Sequence, residues 1–267
     1  MKTITLLNNK GGVGKTATVS AVGHILATVH KKKVLLVDLD PQANLSQMYG
    51  FDTMDEDYSL KDVIEGKTYP VENTVQDILL DSQKNIHECI YQTDYEQLDI
   101  IPAFITLSNV EHYMISDVSE PQQLKLSRQL RKVEQEYDYC LIDCAPSVSI
   151  FNVNALAASD VVYVPTLCDK SSRIGVANIL RLIGQVKTFA DKNLGFGGCI
   201  LTRYDSRKKV CQTALEDCTE ALGEKVILTI PVSTKIEQTN DLQKPLYEID
   251  PLGKASAKYL ELAEMMM

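Results

Sequence analysis

The stretch NNKGGVGKTATVS at residues 8–20 constrains this chain more than any other. Gly14, Lys15 and Thr16 form the G-K-[ST] end of a P-loop, in which backbone N–H groups cradle phosphates, the lysine reaches the terminal ones and the hydroxyl takes Mg²⁺. The flanks agree with the motif. Before the loop, TITLL is apolar and β-branched, as a buried strand requires; after it, TATVSAVGHILATV carries apolar residues at helical spacing. A helix starting near Lys15 adds its unbonded N–H groups and its dipole to the anion site. Lys10, Gly11, Gly12, Val13, Gly14, Lys15, Thr16 and Ala17 are therefore the candidate phosphate cradle. The general pattern has a glycine five residues before Gly14, where this chain has Asn9, and Lys10 adds a second cation inside the loop.

The rest of the chain reads as an α/β protein. The short apolar runs KVLLVDLD, QLDIIPA, DYCLID, DVVYVPT, FGGCIL and KVILTIP alternate with helical candidates. These are TLSNVEHYMI, QQLKLSRQLRKVEQEY, IFNVNALAA, IGVANILRLIGQVKTFA, VCQTALEDCTEALG and GKASAKYLELAEMM. Strands apolar throughout and separated by helices predict a mostly parallel twisted β-sheet flanked by helices on both faces. Residues 51–96 are acidic and broken, and short helices and loops are expected there. No repeat, low-complexity tract or linker marks a boundary, so residues 1–267 are expected to form a single domain, without an N-terminal helix-turn-helix.

Composition narrows the class. Of 267 residues 45% are hydrophobic, ample for a sizeable core, yet no apolar run reaches the roughly 18 residues of a membrane span. With no signal peptide either, a cytoplasmic protein is expected. The seven cysteines are scattered with no C-x-x-C pair, so reduced thiols are expected rather than disulfides or a zinc site. The four histidines show no ligand spacing. A formal charge of −9 opposes a uniformly basic nucleic-acid binder and leaves room only for a local basic patch.

Three acids belong with the loop. Ligands of parallel sheets bind outside the carboxyl ends of the strands. Asp38 and Asp40 end VLLVDLDPQ and Asp143 ends YCLID, which brings all three to the edge that holds the glycine turn. Asp143 is a Walker-B-type acid, placed to hold Mg²⁺ or its waters while Thr16 binds the metal. Asp40, one step beyond the strand and before Pro41, is placed to orient or deprotonate an attacking water.

Together, NNKGGVGKTATVS, KVLLVDLDPQANLS, DYCLIDCAPSVSIFNVNALAASDVVYVP and KPLYEIDPLGKASAKYLELA resemble the ParA/Soj-type partition ATPases, relatives of MinD in the deviant Walker A group of P-loop NTPases. The resemblance covers nearly the whole chain and is weakest over residues 51–91. It implies an ATPase that uses ATP and Mg²⁺, forms an ATP-dependent homodimer, binds DNA non-specifically on the nucleoid and is stimulated by a ParB-like partner. By the same resemblance Lys10 is the signature lysine, reaching across the dimer to phosphates bound by the other subunit. Lys15 then contacts the β- and γ-phosphates, Thr16 the Mg²⁺ and Asp40 the hydrolytic water, with Asp38 and Asp143 around the metal. Nucleoside contacts are implied near LTRYDSR and TIPVS, at Thr202 and Pro231, and DNA contacts at Arg207, Lys208, Lys209 and Lys235.

The chain departs from the family pattern in several places. Ala17 stands where a second threonine is usual, Ala145 precedes Pro146 in the DCAPS segment, which is expected to loosen it, and Val232 replaces an arginine after the IP pair. CDKSSRIGVANI also differs from the usual aromatic and acidic pattern. Other readings are a MinD-like membrane switch, an iron–sulfur carrier relative and a regulatory nucleotide switch not acting on DNA. The first needs a basic amphipathic terminal helix, whereas AKYLELAEMMM is short and ends on acidic charge; the second needs paired cysteines.

Overall fold

Runs of β-branched and apolar residues without polar alternation must be covered on both sides. The computed structural model, which describes residues 1–51, 71–147, 149–190 and 193–267, builds them into one eight-stranded sheet. Its strands are β1 (Lys2–Leu6), β2 (Val34–Leu39), β3 (Tyr91–Gln92), β4 (Leu98–Ile101), β5 (Tyr139–Cys144), β6 (Val161–Thr166), β7 (Gly195–Tyr204) and β8 (Val226–Pro231). They lie in the order β3-β4-β2-β5-β1-β6-β7-β8, and every pairing is parallel except β3 with β4. The helices are α1 (Lys15–Thr28), α2 (Asn44–Met48), α3 (Val75–Leu80), α4 (Leu107–Ser116), α5 (Lys125–Arg131) and α6 (Ile150–Ala158), followed by α7 (Lys170–Ala190), α8 (Lys209–Leu222), α9 (Thr234–Leu242), α10 (Leu246–Ile249) and α11 (Lys254–Met266).

The period of two along each strand divides the core into two. Leu35, Val37 and Leu39 of β2, with Cys140, Ile142 and Cys144 of β5, face a core shared with α3–α7. Leu36 of β2, with Tyr139 and Leu141 of β5, faces the opposite core, built with α1 and α11. Strand parity therefore sends Asp38 and Asp143 toward the α1 face, and the register sets them directly opposite one another. This alternation positions the site.

Two expectations needed correction. QQLKLSRQLRKVEQEY is not one helix: residues 122–124 form a 3₁₀ turn and α5 ends at Arg131. Beyond it the bonds tighten to i→i−3, from Lys132 N to Gln129 O and Glu136 N to Val133 O, because the chain must turn into β5. At Pro41 the chain leaves regular structure for a turn, and α2 follows, entered through Ala43 in the left-handed region at φ 53°. The second correction concerns DCAPS, where Asn152 Nδ2 donates to the carbonyls of Ala145 (3.4 Å) and Ser147, fastening the segment expected to be loose. For residues 51–96, short helices and loops are seen from residue 71 onward, together with β3; residues 52–70 lie outside the described residues, as do Val148 and residues 191–192.

The terminal helix α11 spends its apolar face internally, burying Tyr259, Leu262, Ala263 and Met266 in the α1 core. That face is not free for a membrane surface, and among the described residues no helix is long and apolar enough to cross a membrane.

His24 of α1 is buried edge-on against Tyr95 at a centroid distance of 4.6 Å, and its Nδ1 has no hydrogen-bond partner. Burial lowers its pKa from 6.5 to about 4, with Glu248 opposing. The unfolded chain therefore binds the proton first, and the contribution of neutral His24, complete above pH 6.5, is lost as pH falls toward 4. At about 1.4 kcal/mol per pKa unit this amounts to about 3 kcal/mol. Urea unfolding at stepped pH should show that loss in the wild type and a clearly shallower one in His24→Leu; identical pH profiles would refute it.

Candidate functional site

The glycine turn is preshaped. Gly12 and Gly14 hold φ of 71° and 86°, values that side-chain-bearing residues rarely adopt, and Gly14 opens α1 without a side-chain cap. The first N–H groups of α1 thus face the turn. A Cβ at Gly11 or Gly12 would meet nothing within 4 Å, so the outer face of the turn is open. Its inner face is tied down. Asn8 Nδ2 donates to Pro165 O (2.7 Å) and Thr166 Oγ1 (3.1 Å), Asn8 Oδ1 accepts from Lys10 N (3.1 Å), and Thr202 Oγ1 donates to Val13 O (2.8 Å). The cleft in front measures about 330 Å³ and is lined by residues 11–17, Asp40, Thr202 and the α9 residues Ile236, Glu237, Thr239 and Asn240, among others.

Lys15 is buried beside this cleft, its ammonium donating to Lys10 O at 3.3 Å. Burial lowers its pKa, and the negative charges of Asp143 and Asp40 oppose the drop. Thr16 Oγ1 donates to Asp143 Oδ2 at 2.6 Å. Asp38 accepts from Ser46 N (3.0 Å), Ser46 Oγ (2.8 Å) and Asp40 N (3.0 Å), which fixes α2 to the end of β2. Both buried acids have raised pKa values, chiefly from burial; the charge of Asp38 adds to the rise at Asp143, and that of Asp40 to the rise at Asp38. Adjacent buried carboxylates next to a threonine hydroxyl form an oxygen-rich set suited to a hard divalent cation and its waters. With the open glycine cradle and the buried ammonium, these residues fit a Mg-nucleotide. Asp40 lies at the cleft, its Oδ1 accepting from Gln42 N at 2.9 Å.

Other predicted residues fall elsewhere. Lys10 does not line the cleft; its ammonium meets Asp169 Oδ2 at 2.5 Å. Thr202 lines it with a hydroxyl already committed to the loop, and Pro231 lies in a neighbouring cavity of about 1010 Å³. That cavity collects Arg207 and Lys208 with Lys254 and Lys258, two cations that sequence reading passed over. Val232 sits on its wall, 57% exposed. Arg207 is held by Asp205 through Nε and Nη2, both at 3.0 Å, and Lys258 pairs with Glu261 at 2.6 Å. Lys209 is exposed at the start of α8, and Lys235, in the first turn of α9, donates to Gln238 Oε1 at 3.1 Å. Ser46, Asn8 and Asp169 were also missed. Ser46 stands within the quoted DLDPQANLS run, whereas Asp169 is 159 residues from its lysine.

A family model described as an AAA domain matches residues 1–196. The sporulation initiation inhibitor protein Soj of Bacillus subtilis is 34% identical over 264 residues, covering 98% of this chain and 97% of its own. The chromosome partitioning protein ParA of Caulobacter vibrioides is 31% identical, covering 98% and 92%. Among solved structures, cobyrinic acid a,c-diamide synthase of Mycobacterium smegmatis with bound ADP and magnesium is similar at a TM-score of 0.78 and 28% identity, covering 99% of this chain and 93% of that one.

Proposed function

We propose, from the premise that the chain belongs to the ParA/Soj family of partition ATPases, that it binds Mg-ATP in the P-loop cleft, pairs with a second copy around the nucleotide and hydrolyses ATP to segregate a chromosome, plasmid or mobile element. The observation that carries this reading is the separation of the two loop lysines. Lys15 serves its own cleft, whereas Lys10 is turned out of it toward Asp169. An outward cation beside a phosphate cradle is what a subunit needs in order to act on the nucleotide of its partner, as an arginine finger does in trans.

In this reading the N–H groups of the glycine turn and the Lys15 ammonium hold the β- and γ-phosphates. Thr16 Oγ1 and Asp143 hold Mg²⁺ with its waters, and Asp38 braces the acids through Ser46. The bound cation neutralises phosphate charge. Asp40, at the mouth, orients the water and takes its proton. Asn152, tying Ala145 and Ser147, keeps the strand-end loop beside the phosphates in one shape. Hydrolysis is slow alone and rises when a ParB-like partner acts on the ATP-bound dimer.

The basic cavity of Arg207, Lys208, Lys254 and Lys258 supports non-specific DNA binding in the paired form, where two copies double the local charge despite a formal −9 per chain. Sedimentation with a non-hydrolysable ATP analogue and with ADP, each with Mg²⁺, tests the reading. A dimer with the analogue alone is expected, binding random duplex with a log–log salt slope of about −4 or steeper. A dimer indifferent to DNA would move the switch to another partner.

A further inference from the structure

We propose that Asp169 is a positioning residue that keeps Lys10 away from the nucleotide of its own cleft and presents it to a second copy of the chain. The inference rests on the dimer reading above and assigns that reading a residue outside the nucleotide motifs. Lys10 starts close to its own site, since its carbonyl accepts from Lys15 Nζ at 3.3 Å. A cation so near a phosphate cradle would be drawn into it by the several negative charges of a nucleotide. What opposes this is the Asp169 carboxylate, 2.5 Å from the Lys10 ammonium at the head of α7, with both side chains partly open to solvent at 35% and 41% exposure.

Both ends of the ion pair are held by one residue. Asn8 accepts from the Lys10 N–H and donates to Pro165 and Thr166 at the end of β6, three residues before Asp169. Gly175, on the second turn of α7, packs so near that a Cβ there would lie 2.8 Å from Asn8 Oδ1. The head of α7, the end of β6 and the glycine turn are thereby fixed relative to one another, and the Asp169 carboxylate stands at a set place beside the loop. The Lys10 side chain stays 35% exposed while paired with Asp169, so a phosphate of a second copy can reach it.

The test reads two equilibria that positioning moves in opposite directions. With Mg²⁺ and a non-hydrolysable ATP analogue, Asp169→Asn should bind the analogue about twofold more tightly as a monomer, because Lys10 is released into its own cleft. An exposed ion pair is worth up to about fivefold and the dimer contains two, so self-association should weaken by up to about 25-fold. Asp169→Glu should restore both values, and in a Lys10→Ala background Asp169→Asn should change neither. A simple structural loss would weaken both equilibria together and would overturn the proposal, as would tighter self-association or an effect undiminished by Lys10→Ala. If the wild type binds the analogue and stays monomeric, the dimer reading fails and this inference with it. If the wild type pairs and Asp169→Asn matches it, only this inference falls.

Discussion

Lys15→Ala is expected to fold and to lose nucleotide binding. The ammonium is the one P-loop cation buried at the cleft, with a pKa lowered by desolvation and supported by Asp143 and Asp40, so it has little water to lose when a phosphate arrives. Charge-assisted hydrogen bonds to two phosphates contribute about 1.5–3 kcal/mol each, so affinity for Mg-ATP should fall by at least about a hundredfold. Lys10 cannot substitute, since its ammonium is engaged with Asp169. Titration calorimetry with Mg-ATP, alongside circular dichroism of the free protein, decides the matter. Affinity within a few-fold of wild type would mean that the glycine turn and the α1 terminus hold the phosphates unaided, and the site assignment would be wrong.

Asp40→Ala should do the reverse: retain ATP and lose its hydrolysis. Asp40 is held through its own backbone, its N–H donating to Asp38 Oδ1 at 3.0 Å and its carbonyl accepting from Ala43 N at 2.8 Å. Removing its carboxylate frees the Gln42 N–H, a part-buried group at the cleft edge, and leaves Thr16, Asp143 and Asp38 in place. A general base contributes about 10²–10⁴-fold, so turnover should drop by at least a hundredfold while the ATP-bound dimer accumulates. Light scattering with Mg-ATP should show a persistent dimer that dissociates after exchange into Mg-ADP. Normal turnover in this variant would remove Asp40 from the reaction.

Why the sequence revealed some of this and not the rest is visible in particular residues. The seven longer strands are apolar runs with β-branched residues, a signal intrinsic to each segment, and the phosphate loop announces itself through glycine spacing. Asp38 and Asp143 could be placed at one edge because strand ends share an edge in a parallel sheet. Their bracing by Ser46 could not, because it depends on Ala43 entering the left-handed region and turning α2 back onto β2. α9 and α10 were missed for a similar reason. They are short, polar and set by Ser233 and Pro245 at their heads, with little apolar periodicity of their own. The Lys10–Asp169 pair joins positions 159 residues apart and leaves no local pattern. Pro231, expected near the nucleoside from the family resemblance, lines the adjoining cavity.

The central place of β1 governs when the phosphate loop can take shape. The strand that carries the loop precedes both of its neighbours in the sheet, β5 and β6, with Lys2 paired to Tyr139 and Ile4 to Val161. The hydroxyl that holds Val13 from behind, on Thr202, is made later still. During synthesis, which proceeds from the N-terminus, the loop therefore emerges long before anything can shape it, and non-local pairing of this kind is slow to close. The glycine turn therefore gains its full set of braces only after β7 has been made.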